Sequence, residues 1–168
     1  PSELSWAIAG TALISFRDDT QGVPAYYRLM VHFGAALLTM TILPNHQLFQ
    51  GLLPPAAEIL LGALLLTAWM NIFNFMDGID GLAAIEAITV CLSLALLYWL
   101  NSDLNLMGLP LVIAAAVAGF FCWNFPPARI FMGDAGSGFL GLAIGVLSIQ
   151  AAWVRPEYLW ECLILLGV

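Results

Sequence analysis

Apolar runs dominate the chain, and they are continuous rather than alternating. A bilayer-spanning helix needs about 20 mostly apolar residues, within a range of roughly 17–25. Six candidate segments appear, residues 4–16, 23–43, 55–75, 82–100, 109–125 and 139–154, of which the first is short and reads as truncated, with a seventh run opening near Tyr158. The second is the least apolar and carries Arg28 and His32, while the third starts behind Pro54-Pro55, a pair suited to a helix start. Strands are not expected, because an open sheet cannot satisfy its edges in lipid. The predicted fold is therefore all-α: a polytopic integral membrane protein with a bundle of about six to seven transmembrane helices. We read residues 1–168 as one transmembrane catalytic domain and as a piece of a longer protein, cut at both ends. On its own that piece is expected to be inactive.

The connections are short and polar: RDDTQG, PNHQLFQGLLP, DGIDG, NSDLNLMG, PPARIFMGDAGSG and RPE. Two spans separate Asp18-Asp19 from DGIDG, and two more separate DGIDG from MGDAGS, so all three emerge on one face. Asp18, Asp19, Asp77, Asp80 and Asp134 share that face, and Asp103 falls opposite. Arg17, Arg28 and Arg129 accompany the acids while Arg155 lies across the membrane, which predicts a cytoplasmic location for the acidic face.

Composition agrees with the membrane reading. Hydrophobic residues make up 62% and charged ones 9%, against about 25% charged in soluble domains. The mean hydropathy is +0.95. Lysine is absent, and the net charge of −7 excludes nucleic acid as a partner, since that needs basic patches. Cys91, Cys122 and Cys162 lie in apolar runs without metal or redox spacing and read as buried, inert thiols.

Chemistry concentrates in three stretches. In FRDDTQG, Asp18 and Asp19 repel one another unless a cation or donor offsets them, though a solvated pair beside Arg17 is an equal reading. In NIFNFMDGIDG, Asn71, Asn74 and Asp77 are spaced three apart and form a stripe on one helix face. Asp80 either caps the helix that begins near Leu82 or belongs to the site. Glu86, one turn inside that helix, is a costly intramembrane acid with Arg28 as a candidate partner. In PPARIFMGDAGSG, Asp134 sits among glycines, and Gly133 and Ser137 flank a helix start able to offer backbone N–H groups to an anion. Clustered aspartates without a Cys/His set fit Mg²⁺, with Mn²⁺ possible. His32 and His46 read as incidental.

The order and spacing of these motifs resemble the polyprenyl-phosphate N-acetylhexosamine-1-phosphate transferase superfamily of glycosyltransferases. The matching residues are Asp18-Asp19, Asn71 to Gly81 and Phe131 to Ser137. Phe75-Met76 is closer to the O-antigen-initiating branch than to the peptidoglycan phospho-N-acetylmuramoyl-pentapeptide transferases, whose motif more often has Leu-Thr there. The resemblance implies Mg²⁺-dependent transfer of a sugar-1-phosphate from a UDP-amino sugar to undecaprenyl phosphate, releasing UMP, in a bacterial inner membrane. It implies that Asp134 ligates the metal, with Asp18, Asp19 and Asp77 catalytic and Asn71, Asn74, Asp80, Gly133 and Ser137 contacting substrate. The later histidine- or arginine-rich loop of that superfamily, which reads the sugar nucleotide, has no match here. An ion- or proton-coupled transporter is the alternative, but it would place acids near mid-membrane on a path open to both faces.

Overall fold

A computed structural model describes residues 24–43, 48–49 and 52–154. The first predicted span, Asp18, Asp19, His46, Cys162 and the seventh run lie outside these residues. Five helices make up the described part: α1 (Ala25–Ile42), α2 (Pro55–Met76), α3 (Leu82–Leu100), α4 (Leu104–Asn124) and α5 (Gly133–Val154). Among the described residues there is no strand. The last four helices are each long and apolar enough to cross a membrane.

The helices bury their small and apolar positions and turn large apolar side chains outward. Leu64, Leu96, Val112 and Trp99 are exposed, as expected where the solvent is lipid rather than water. The protein core is lined by Ala36, Met40, Phe73, Ala87, Leu94, Leu142 and Ile144. α3 packs along α4, and α2 is sandwiched between α1 and α5. Small residues set the α2–α5 approach: a Cβ at Gly141 would come within 3.3 Å of the Met70 Cα, and one at Gly145 would meet Leu66 and Trp69. Trp69 seals this seam by donating its indole N–H to the Gly141 carbonyl at 2.8 Å.

Three hydroxyls inside the helices are satisfied locally. The Thr67, Ser137 and Ser148 hydroxyls each donate to the carbonyl four residues back, at 2.7–3.0 Å. α2 begins as the sequence predicts, with Pro55 in its first turn. At that end the Phe49 N–H donates to Glu58 Oε2 at 3.0 Å, tying the α1–α2 connection to α2.

Two predicted helix starts need correction. α4 begins at Leu104 instead of 109, and α5 begins at Gly133 instead of 139. The polar and glycine residues that read as loop occupy first turns, and for α5 the reason lies in the site described next. Cys91 is buried as expected, but Cys122 is exposed on the outer face of α4.

Candidate active site

The α2–α3 and α4–α5 connections and the N-terminus of α1 lie at one end of the bundle, as span counting predicts. The α3–α4 turn with Asp103 lies at the other end, where the Asp103 N–H donates to the Tyr98 carbonyl.

Asp77 ends α2 and is buried, and its carboxylate reaches across to the start of α5. Its Oδ1 accepts the Met132 N–H at 3.3 Å and its Oδ2 the Gly133 N–H at 3.1 Å. A carboxylate at a helix N-terminus satisfies orphan donors and is favoured by the helix dipole. The anion expected at this helix start is thus supplied by the protein itself, which explains why the helix begins early. Gly133 enters with φ +68°, a left-handed conformation that an L side chain would strain.

Asp80 is not the cap of α3: Gly81 holds that position, with φ +76° and no side-chain cap bond. Asp80 Oδ2 instead accepts the Ala128 N–H at 2.9 Å and so holds the loop after α4. A second tie, missed in the sequence, is Asn124, the last residue of α4. It is 1% exposed. Its Oδ1 accepts the Gly81 N–H at 3.0 Å, and its Nδ2 donates to the Ile130 carbonyl at 2.9 Å. One carboxamide thus fixes both acidic loops to each other. Gly81 fits because a Cβ there would meet Phe121 Cε2 at 3.1 Å. A lone asparagine ending an apolar run carries no motif, so only a fixed loop-to-loop geometry reveals it.

Asp134, in the first turn of α5, forms an ion pair with Arg28 near the start of α1. Arg28, a candidate partner of Glu86 in the sequence, pairs with Asp134, 106 residues away. Glu86 is buried, with Oε1 lacking a hydrogen-bond partner. An open cleft of about 610 Å³ runs between the loops, lined by Asn74, Phe75, Asp77, Gly78, Ile79, Phe131, Gly133 and Asp134. Of the predicted site residues described, Asn74, Asp77, Gly133 and Asp134 line it together. Asn71 donates its amide to the Thr67 carbonyl at 2.8 Å, and Ser137 is fully buried with its hydroxyl on the Gly133 carbonyl. Neither lines the cleft.

The described residues contain no group of three His, Cys, Asp or Glu side chains able to hold a metal. Each Asp77 oxygen already accepts a backbone N–H, whereas the Asp134 carboxylate lines the cleft in an ion pair with Arg28. That donor set fits a hard cation that takes one carboxylate and completes its shell with phosphate oxygens and water, the habit of Mg²⁺.

Residues 3–152 match the family model described as glycosyl transferase family 4. The chain is 46% identical over 91 residues to a phospho-N-acetylmuramoyl-pentapeptide-transferase of Moorella thermoacetica, covering 54% of this chain and 29% of that protein. It is 32% identical over 143 residues to a probable undecaprenyl-phosphate N-acetylglucosaminyl 1-phosphate transferase of Bacillus subtilis, covering 82% and 40%. A phospho-N-acetylmuramoyl-pentapeptide-transferase of Lactiplantibacillus plantarum is 31% identical over 148 residues, covering 80% and 44%. The chain thus spans less than half the length of these relatives.

Proposed function

The chain belongs to glycosyl transferase family 4, and from that membership we propose that the full-length enzyme transfers an amino-sugar-1-phosphate from a UDP-sugar to undecaprenyl phosphate. The sugar is an N-acetylhexosamine or a close relative, and the products are the lipid-diphosphate-sugar and UMP. The observation that carries the reading is the meeting of Asp77 and Asp134, from two separate helix ends, at a cleft at the end of the bundle, with Arg28 from a third helix paired to Asp134. A water-soluble nucleotide and a membrane-held acceptor can meet only where the bundle gives way to water.

In the reaction an oxygen of the lipid phosphate attacks the sugar-bearing β-phosphorus of the donor. The bond from that phosphorus to the bridging oxygen breaks, and UMP leaves with the electron pair. A phosphate monoester is largely ionised near neutral pH, its second pKa being about 6, so the nucleophile is ready without a base. Positioning and charge neutralisation are then the main tasks.

Asp134 would hold Mg²⁺, or Mn²⁺ in its place, and the bound cation would neutralise charge on the diphosphate. Arg28 offers a guanidinium fork suited to phosphate oxygens. Asp77 keeps Gly133 and Asp134 in register, Asp80 and Asn124 hold the loop after α4, and Asn74 faces the cleft as a hydrogen-bonding group for substrate. Asp18 and Asp19 are assigned to the same site by the motif resemblance and by span counting in the sequence.

The three arginines that accompany the acids favour a cytoplasmic cleft in a bacterial inner membrane. Phe75-Met76 favours initiation of an envelope polysaccharide such as O-antigen over the pentapeptide reaction. The test is to incubate the purified full-length protein with undecaprenyl phosphate and labelled UDP-N-acetylhexosamines, or with UDP-N-acetylmuramoyl-pentapeptide. Mg²⁺-dependent lipid product from a hexosamine donor supports the proposal. Product from the pentapeptide donor alone would move the chain to the peptidoglycan branch, and no lipid product from any donor would refute the activity.

A further inference from the structure

The Asp134 carboxylate is not bare in the ligand-free protein. Arg28 leaves the first turn of α1 and pairs with it, with side chains 33% and 19% exposed. An arginine stays protonated at any working pH, so this counter-ion cannot be titrated away. It offsets what would otherwise be a costly carboxylate at a partly desolvated helix end. A divalent cation approaching the same carboxylate meets a fixed positive charge and an occupied lone pair. The balance changes when a diphosphate enters, because the guanidinium then faces a second, stronger anion and phosphate oxygens complete the cation's shell.

We propose that Arg28 makes cation binding at Asp134 conditional on the anionic donor, so that metal and nucleotide bind with positive coupling. This inference rests on the transferase reading of the site and adds the order in which it fills. Arg28 acts on the metal through Asp134 and is in that respect a positioning residue. Because linkage is reciprocal, the nucleotide must also bind more tightly when the cation is present.

The experiment is an electron paramagnetic resonance titration of Mn²⁺ into the full-length protein in nanodiscs, without nucleotide and at saturating UDP. For wild type the expected result is weak Mn²⁺ binding alone and binding about tenfold tighter with UDP, within the usual span of coupling energies. Arg28→Gln is expected to bind Mn²⁺ more tightly than wild type without UDP and to lose most of the gain that UDP brings. Arg28→Lys keeps the positive charge and is expected to retain the wild-type pattern, which separates loss of charge from misfolding. Equal nucleotide-free affinities for wild type and Arg28→Gln would overturn the inference. Asp134→Asn separates the two levels. If it abolishes Mn²⁺ binding while Arg28→Gln behaves as wild type, the coupling alone fails. If Asp134→Asn binds Mn²⁺ with UDP as wild type does, the metal-ligand reading fails and the coupling falls with it.

Discussion

Replacing Asn124 by alanine removes a side chain that fastens the DGIDG loop to the segment leading into Asp134, and leaves the Asp77 and Asp80 ties in place. Two hydrogen bonds are lost, at 3.0 and 2.9 Å. The Gly81 N–H is buried against Phe121 and Pro126, and leaving such a donor unpaired costs about 1–3 kcal/mol. The Ile130 carbonyl belongs to an exposed residue, so water can replace its lost donor at little cost. The expected stability loss is therefore about 1–3 kcal/mol, carried mainly by Gly81. The effect on turnover should be larger, since a displacement of about 1 Å between reacting groups can cost on the order of a hundredfold. Asn124→Asp keeps the acceptor for Gly81 but sets a buried carboxylate oxygen against the Ile130 carbonyl, so it is expected to be impaired as well. The assay is kcat/KM for lipid-linked product on the full-length enzyme, beside its thermal unfolding midpoint. Wild-type turnover in Asn124→Ala would refute the claim that this carboxamide sets the loop geometry.

Other consequences follow from the same contacts. Asp77→Asn leaves one oxygen for two N–H donors and turns an amide NH₂ toward the α5 start, so turnover should collapse and stability should fall by about 1–3 kcal/mol, measured by activity and thermal unfolding. Gly145→Leu forces a side chain into Leu66 and Trp69 at the α2–α5 seam, and overpacking of this kind costs about 1–3 kcal/mol, readable as a lower unfolding midpoint. In a Cys162→Ser background, N-ethylmaleimide should modify exposed Cys122 and spare buried Cys91, as peptide mass spectrometry would show.

The helix bundle was largely legible because the bilayer imposes a length and an apolarity that a sequence displays openly. α2 and α3 start where their runs begin. The early starts of α4 and α5 were hidden, since Gly108, Pro110 and the Gly133–Ser137 glycines look like breakers when read alone. For α5 the deciding factor is Asp77, 56 residues from Gly133, whose carboxylate satisfies the helix start. The motif carriers Asn74, Asp77 and Asp134 were visible as polar residues where lipid tolerates few. Their partners were not: spacing shows that Arg28 must be accommodated, but not that Asp134 rather than Glu86 receives it. Asn71 and Ser137 lie on the expected polar positions, yet their own helix backbones take their hydrogen bonds. Asp80 illustrates the same limit, because a cap and a cross-loop tie read alike from one strand of sequence.

The central claim is that the group moved at this cleft is a sugar-1-phosphate. It is tested most directly with a UDP-N-acetylhexosamine carrying ³²P in its β-phosphate, undecaprenyl phosphate, Mg²⁺ and the purified full-length enzyme. The label is expected to move into the lipid with release of unlabelled UMP, and Asp134→Asn is expected to abolish both. Label retained in released UDP, or transfer that survives in Asp134→Asn, would contradict that claim.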